Sequence, residues 1–463
     1  MKRGKALDLQ AKLKRLASRL PEGELVWDEE TRQAHAGDKW YASHLPDGVV
    51  LGGSSRTVVE VMKWAGRHGV PVTARGAGHG YVGGAVPVHG GLVVSLDRMN
   101  RIREVSCEDF VAVVEPGVRT QTLQETVERE GLFYPPDPAS RLECSIGGNI
   151  VTNAGGPRCL KYGVTRDYVL GLEVVLADGS LVRLGSRTHK NKTGFDLARM
   201  FVGSEGLLGV VTEATLKLLP KPPYRACAVA GFGTMHAAAQ AIRGVFGAGL
   251  LPCALEVADG FTLKAAHKRT GRELLAGCEA LLIIELDGQP ASVRGELKEL
   301  ERVLDGYKPK TRARGMGAEG VEKYWALRRE FSYALRDTGL TKLNEDIAVP
   351  RGRLEDLFRF AGGLEREYGF SVACFGHAGD GNIHVNLMVD MKEKGIQQRS
   401  RRALDALFSQ VVEWGGVITG EHGVGLAKKP WWKMAVSPEA RRLHRRVRQA
   451  LDPQGILNPG KFV

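Results

Sequence analysis

The chain has no Cys-x-x-Cys pair. Its seven cysteines are scattered at positions 107, 144, 159, 227, 253, 278 and 374. That spacing argues against a cysteine zinc site, an iron–sulfur cluster and a disulfide framework. No apolar run approaches the length needed to span a bilayer. The opening "MKRGKALDLQAKLKRLASRL" is basic but has no apolar centre, so a secretory signal is not expected. No basic motif interleaved with aromatics is present, and nucleic acid is not expected as a partner. The expectation is a soluble, cytoplasmic protein, with a peripheral contact at the inner face of a membrane left open.

Two residue types stand out among those present. Glycine is abundant at 59 residues, in discrete clusters with no repeat, which favours tight functional turns over low complexity. Lys and Arg exceed Asp and Glu by 65 to 53, for a net charge of +12. The main local excess, "RRLHRRVRQ" at 441–449, reads as the solvated face of a helix. A basic surface would also suit an anionic substrate or an acidic partner. At 463 residues, 43 % hydrophobic and 25 % charged, the chain is globular and too long for one ordinary core.

Periodicity predicts a helix over 5–20, with Leu7, Leu13, Leu16 and Leu20 on one face, and another over 58–69 with a glycine stop. Strands are expected at "VPVTARG", "GLVVSL" and "FVAVVEPG", a helix at 120–131, and a hairpin about Asp178-Gly179. "YPPDPAS" must be an extended turn because of its three prolines. "PKPP" marks a boundary near 220. Beyond it, strands such as "ALLIIELDG" alternate with charged helices. The end, "LDPQGILNPGKFV", reads as coil that packs back on the body.

Residues 78–83, "GHGYVG", match Gly-x-Gly-x-x-Gly. The dinucleotide fingerprint also requires a helix opening at that loop, to face the pyrophosphate. Here "AVPVHGGLVVSL" follows and reads as a strand. The loop is then either an anion nest of backbone N–H groups or only a tight connection.

A second cluster is "GHAGDGNIHVN" at 376–386, where His377 and His384 flank a turn of small residues. Alone, the pair could be two satisfied polar histidines. "TGEHGVG" adds Glu421 beside His422. Two imidazoles and a carboxylate form a catalytic-type metal set with an open position. Mixed nitrogen and oxygen ligands suit zinc but would also take iron or manganese.

The segments "TARGAGHGYVGGAVP", "YPPDPAS", "SIGGNIVTNAGG", "KYGVTRD" and "GSEGLLGVVTEATL" occur in this order. With "GHAGDGNIHVN", "TGEHGVG" and "DPQGILNPGK", they closely resemble the vanillyl-alcohol oxidase superfamily, over about residues 42–463. Within it they resemble the glycolate oxidase, D-lactate dehydrogenase and D-2-hydroxyglutarate dehydrogenase branch. The resemblance implies an α+β fold: a two-subdomain PCMH-type FAD-binding domain plus an α/β cap with an antiparallel sheet. The expected division is 1–41 as a helical segment, 42–220 as the FAD-binding domain, 221–420 as the substrate cap, and 421–463 packing back on the FAD domain.

The resemblance also implies site residues. Arg75, Gly76, Ala77, Gly78, His79 and Gly80 would wrap the FAD pyrophosphate, with Ser145, Gly147, Gly148, Asn153, Gly155 and Gly156. Pro135, Asp137 and Ser140 would line the same cleft, and Glu205, Gly206, Val210 and Val211 would meet the adenosine end. It points to His377, His384 and Glu421 as ligands of a divalent metal, zinc first, and selects Arg328 as the clamp for a substrate carboxylate. Glutarate-type relatives have a threonine where Ser332 stands and a lysine where Asn344 stands, with Lys342 two residues away. That departure puts 2-hydroxyglutarate itself in doubt. His422 is the candidate general base. Asn386, on the strand face of His384, would hold substrate or a ligand, or simply bond to backbone.

The expected activity is oxidation of a D-2-hydroxy acid to the 2-oxo acid, with hydride passing to flavin N5. His79 departs from that branch. "R-x-x-G-H" is the usual form of this loop where flavin is bonded to histidine, so two readings stay open for His79: a covalent link to FAD, which the motif favours, and a neutral loop contact near the pyrophosphate or ring edge with FAD free to dissociate. The competing readings are an oxygen-using oxidase of a sugar or alcohol with merely structural histidines, and a subunit that only relays electrons. The electron acceptor (electron-transfer flavoprotein, quinone or iron–sulfur partner) and a homodimer are left open.

Overall fold

The computed structural model describes the backbone of residues 2–463 and the side chains of residue 9 and residues 11–463. The chain forms two compact units. One comprises Met1–Ala154, Val164–Lys221 and Glu421–Val463; the other comprises Gly155–Gly163 and Pro222–Gly420. Among the described residues no helix is long and apolar enough to cross a membrane.

The first unit opens with a helix over Lys2–Ala17, in place of 5–20. Leu13, Leu16 and Leu20 are buried as expected, whereas the side chain of Leu7 lies outside the described residues. Strands β1 (Leu25–Val26), β2 (Gly48–Leu51), β3 (Val72–Arg75) and β4 (Leu92–Ser95) make a four-stranded sheet in the order β1-β2-β4-β3. Both β2 and β3 run parallel to β4. Parallel neighbours require long crossovers. From β2 to β3 the crossover is the helix Ser55–His68, capped by the Ser54 hydroxyl, which accepts from Thr57 N–H, and closed by Gly69 at φ 61°. Its stripe of Val58, Val61, Met62 and Ala65 packs with Leu13, Leu16 and Leu20 in one core.

From β3 to β4 the crossover is residues 76–91, which contain no helix. The strand expected directly after the glycine loop begins only at Leu92. Residues 82–91 are turns, with Gly83 at φ 73° and Gly91 at φ 74°, which no strand accommodates. The segment "SIGGNIVT", expected only as a glycine loop, is partly helical over Ile146–Thr152. The Ser145 hydroxyl caps it by accepting from Gly148 N–H, and Asn153 ends it at φ 52°. A cap at each end outweighs the poor helix propensity of two glycines.

Strands β5 (Ile102–Ser106) and β6 (Val111–Val114) precede β7 (Leu132–Phe133), β8 (Val169–Val175), β9 (Leu181–Gly185), β10 (Val210–Lys217) and β11 (Leu219–Pro220). The longer ones form a five-stranded antiparallel sheet, β5-β6-β10-β8-β9, and β7 pairs with β11. The expected hairpin at Asp178-Gly179 joins β8 to β9. The C-terminal coil is tied to β3: Val72 N–H donates to Ile456 O and Asn458 N–H to Val72 O. Buried Lys461 donates to Val86 O.

The second unit carries a seven-stranded antiparallel sheet. Its strands are β12 (Tyr224–Phe232), β13 (Ala254–Asp259), β14 (Ala280–Gly288), β15 (Thr311–Met316), β16 (Thr341–Ala348), β17 (Ser371–His377) and β18 (Asn382–Val389). The order is β15-β12-β14-β13-β17-β18-β16. The helix Gly317–Arg336 lies on one face, burying Val321, Tyr324, Leu327, Phe331 and Leu335. Pairing registers put Cys227, Glu285, Glu256, His377 and His384 on one face, because partners across a ladder point the same way. That face is therefore apolar in composition but crossed by a line of buried polar groups.

Residues 155–163 are held to this unit by charge. Lys161 Nζ reaches Asp287 Oδ1 at 2.5 Å, and the Tyr162 hydroxyl donates to Asp287 Oδ2 at 2.7 Å. Asp287 is buried, whereas Lys161 keeps 30 % of its side chain in solvent, which screens the pair. Asp287→Ala is expected to cost about 1–3 kcal/mol, because it strands the Tyr162 hydroxyl and Lys161 ammonium. Denaturant titration of the purified variant beside the parent chain checks this.

Candidate active site

Two groups of side chains carry the candidate chemistry, one about the 76–80 loop and the helix Ile146–Thr152, the other about β17, β18 and residues 420–422. In the first, Arg75 ends β3 and its guanidinium donates to Gly37 O. Ser145 Oγ then does two tasks. It accepts from Gly148 N–H at 3.4 Å and from Ala77 N–H at 3.3 Å, which ties the 76–80 loop to the start of the 146–152 helix. No side chain fits at the junction. A Cβ on Gly76 would run into Ser145 Oγ, and one on Gly147 would lie 2.5 Å from Pro116 Cβ. The result is a concentration of backbone N–H groups on small residues, the composition of an anion cradle.

His79 in this loop is half-buried, and its pKa is lowered by burial first and then by the positive charge of Lys39. It is neutral at pH 7, the form in which an imidazole nitrogen is a nucleophile. Pro135 and Asp137 are buried, and Ser140 O accepts from Cys144 N–H at 2.8 Å. Asn153 Oδ1 accepts from Arg166 N–H, and Gly156 N–H lies 3.1 Å from Cys159 Sγ. Glu205 sits at φ 49° and spends its carboxylate on Val424 N–H (2.7 Å) and Gly425 N–H (2.8 Å). Burial raises its pKa to about 6 against those two bonds. Gly206 follows at φ 72°, and Val210 and Val211 are buried in β10.

In the second unit, β17 and β18 form a tight hairpin, with His377 opposite Asn382 and Phe375 opposite His384. The hairpin needs glycine twice, once in the turn and once in β17. Gly381 lies at φ 85°, and a Cβ on Gly376 would be 2.6 Å from Asn382 O. The two imidazoles stand 5.7 Å apart at 80°. Asp346, across the ladder from His384, is fully buried. It accepts from Asn382 Nδ2 (2.7 Å) and, on its other oxygen, from Gly420 N–H (3.0 Å) and the Thr419 hydroxyl (3.1 Å). Glu421 is the next residue along. His377, His384 and Glu421 each offer one ligand atom, all within 4.8 Å of one another. Two imidazole nitrogens and one carboxylate in that space fit a divalent ion with a position left over. His422 follows, half-buried, with its ring 5.3 Å from that of Tyr81.

The sequence reading missed two residues here. Asp346 is one. The other is Glu256 on β13, 1 % exposed, with Oε1 2.5 Å from His377 Nδ1 and Oε2 2.6 Å from Arg328 Nε. Burial opposes its charge, but its contacts with His377 and Arg328 hold the Glu256 carboxyl below the usual carboxylate range. The available signal was an acidic residue inside an otherwise apolar strand, "CALEVA". Arg328 is thereby fixed, with its guanidinium carbon 4.7 Å above the Phe375 ring. One turn on, the Ser332 hydroxyl accepts from Lys342 Nζ at 2.8 Å. Burial first, then Arg336 and Arg328, push Lys342 down to about 8. Asn386 is fully buried and donates through Nδ2 to Ala373 O and His384 O, so its amide bonds to backbone. Asn344 lies directly across the ladder from it.

The glycine cradle on a mixed sheet and the domain with a large antiparallel sheet belong to a flavin-dependent oxidoreductase of the PCMH-type α+β fold, as the family matches show. Residues 46–185 match the FAD binding domain, and residues 221–462 match the C-terminal domain of FAD linked oxidases. The chain belongs to the FAD-linked oxidase family, among relatives named glycolate oxidase subunit and D-lactate dehydrogenase. It is 39 % identical to the glycolate oxidase subunit GlcD of Bacillus subtilis, over 90 % of this chain and 89 % of that one. It is 34 % identical to a D-lactate dehydrogenase of Anaerostipes hadrus, over 96 % and 95 %. The solved structure of p-cresol methylhydroxylase with substrate bound superposes with a TM-score of 0.78 over 98 % of this chain and 96 % of that one. Its 18 % identity makes that a likeness of fold alone.

Gly147→Ala tests the cradle directly. Its Cβ meets Pro116, which cannot yield as a flexible side chain would. The variant is expected to lose at least half of its bound FAD on gel filtration, read from the ratio of flavin to protein absorbance.

Proposed function

We propose that this FAD-dependent oxidoreductase oxidises a D-2-hydroxy acid to the corresponding 2-oxo acid. The observation that carries the reading is the convergence of His377, His384 and Glu421, with Arg328 held to His377 through Glu256. In this reading residues 42–220 bind FAD, 221–420 form the substrate cap, and 421–463 return to the FAD domain.

Arg328 receives the substrate carboxylate on its terminal N–H groups, since Nε is already committed to Glu256. His377, His384 and Glu421 hold a divalent metal, zinc in the first instance. When bound, that metal supplies Lewis-acid polarisation of the substrate hydroxyl. His422 takes the hydroxyl proton as general base. FAD, when bound, supplies the hydride acceptor at N5. Asn386 orients His384 by holding its backbone carbonyl. The cradle residues Arg75, Gly76, Ala77, Gly78, His79 and Gly80, with Ser145, Gly147 and Gly148, hold the cofactor pyrophosphate. The second substrate of the cycle is an electron acceptor: an electron-transfer flavoprotein, a quinone or an iron–sulfur partner.

A dye-reduction screen of D- and L-2-hydroxy acids tests the reading, run before and after chelation. His384→Ala is expected to lower turnover a hundredfold or more in order of magnitude and to lose the metal, while FAD stays bound. Elemental analysis and flavin absorbance give the two readouts. Full activity in metal-free protein would make the histidines structural.

His79 would bond to the flavin 8-methyl carbon, with loss of one methyl proton and the imidazole N–H proton; the electron pair released would reduce the flavin, and the electron acceptor would reoxidise it. Acid precipitation is expected to leave the yellow colour in the pellet, with flavin fluorescence in the protein band of a denaturing gel. Release of all colour into the supernatant would leave His79 as a loop contact.

A further inference from the structure

Glu256 lies outside the metal set and outside the carboxylate clamp, yet it touches one member of each. Its two oxygens are divided, Oε1 to His377 Nδ1 at 2.5 Å and Oε2 to Arg328 Nε at 2.6 Å. The residue is 1 % exposed and Arg328 keeps 11 % of its side chain in solvent, so water does not compete for these bonds. The positions also explain why one residue can serve both. Glu256 faces His377 across the β13–β17 ladder, and the helix Gly317–Arg336 brings Arg328 down onto the same face.

We infer that Glu256 is a positioning residue that sets two groups with one carboxylate: it holds His377 with Nε2 turned to a divalent metal, and it holds Arg328 with its terminal N–H groups turned to a substrate carboxylate. The inference rests on the hydroxy-acid reading above. A carboxylate accepts and does not donate, so His377 must carry its proton on Nδ1 and present a lone pair on Nε2. A guanidinium bound through Nε keeps its outer edge free for a bidentate contact. The Arg328 side chain is further braced over Phe375 and Phe331, so the carboxylate selects one orientation of a long, otherwise flexible arm. Metal affinity and substrate affinity then share a common support and fall together when it is altered.

The test is Glu256→Gln, which keeps the volume. An amide carries no charge and has one acceptor oxygen: its NH2 group faces His377 or Arg328 with no acceptor for that partner, and its neutral oxygen holds the other more weakly than a carboxylate does, so both supports are weakened. In protein loaded with FAD, half-loss of zinc is expected at a tenfold or more lower chelator concentration than in the parent chain. KM for the hydroxy acid and the calorimetric Kd of the matching 2-oxo acid are each expected to rise tenfold or more. Glu256→Asp, which restores the charge on a shorter arm, is expected to recover part of both. In Glu256→Gln/Arg328→Lys the rise in KM is expected to equal that of the worse single variant, since Glu256 acts on substrate affinity only through Arg328.

Zinc retention and KM both unchanged in a folded, flavin-loaded Glu256→Gln protein would overturn the inference. So would movement of only one of the two, or an equal melting-temperature loss in Gln and Asp variants without either effect. If Glu256→Gln does not fold, the same readouts on Glu256→Asp decide. Failure of the parent chain to oxidise any 2-hydroxy acid would sink the proposed function, while the zinc-retention arm would still report whether Glu256 supports His377.

Discussion

A carboxylate buried in an apolar sheet must be met by donors on every oxygen, or it takes up a proton. Glu256 obeys this constraint, and the arrangement of the second unit follows from it. One oxygen fixes the tautomer of His377, and the other fixes the direction of Arg328. The helix Gly317–Arg336 rests on that sheet face in the rotation that delivers Arg328 to Glu256. The same helix then places Ser332 beside Lys342 on the far strand.

The pattern repeats along the face. Glu285, fully buried on β14, accepts from Arg225 Nε at 2.6 Å and from the indole N–H of Trp325 on the same helix. Asp346 meets the requirement with backbone and amide donors, which anchor the chain at Gly420 immediately before Glu421. Breaking buried pairs of this kind is costly, whereas the same volume filled with apolar groups would be at least as stable. The packing core of Cys227, Leu281, Phe331 and Phe375 on this face supplies the cohesion.

In the first unit the corresponding constraint is topological. Two strands parallel to β4 need two long connections, and one of them is the helix Ser55–His68. The other is residues 76–91, which has no helix to satisfy its backbone. Its N–H groups are met in part by side chains such as Ser145 and Asp38. A connection of this kind is suited to an anionic cofactor because its donors are not spent on secondary structure.

Much of this was legible from the chain alone. The family, FAD, the class of fold and the pairing of the histidines with Glu421 lie in short runs whose residue types have few other uses: glycines where a Cβ has no room, histidines beside a carboxylate. Arg328 was selected only by the family resemblance, since an arginine in a helix has many uses. Local patterns also predicted the helix at 58–69 and the hairpin at Asp178, since caps and turns are set by neighbours in sequence. Tertiary structure alone decided the rest. The helix at Ile146–Thr152 forms because Ser145 and Asn153 cap it, against the preference of its glycines. Glu256 and Asp346 take their roles from partners far away in sequence: His377 stands 121 positions from Glu256, and Gly420 stands 74 from Asp346. A lone acidic residue in an apolar strand signals only that some partner must exist. Which partner it meets depends on strand order and register, because a carboxylate's bonds are short and are made only after the sheet is assembled.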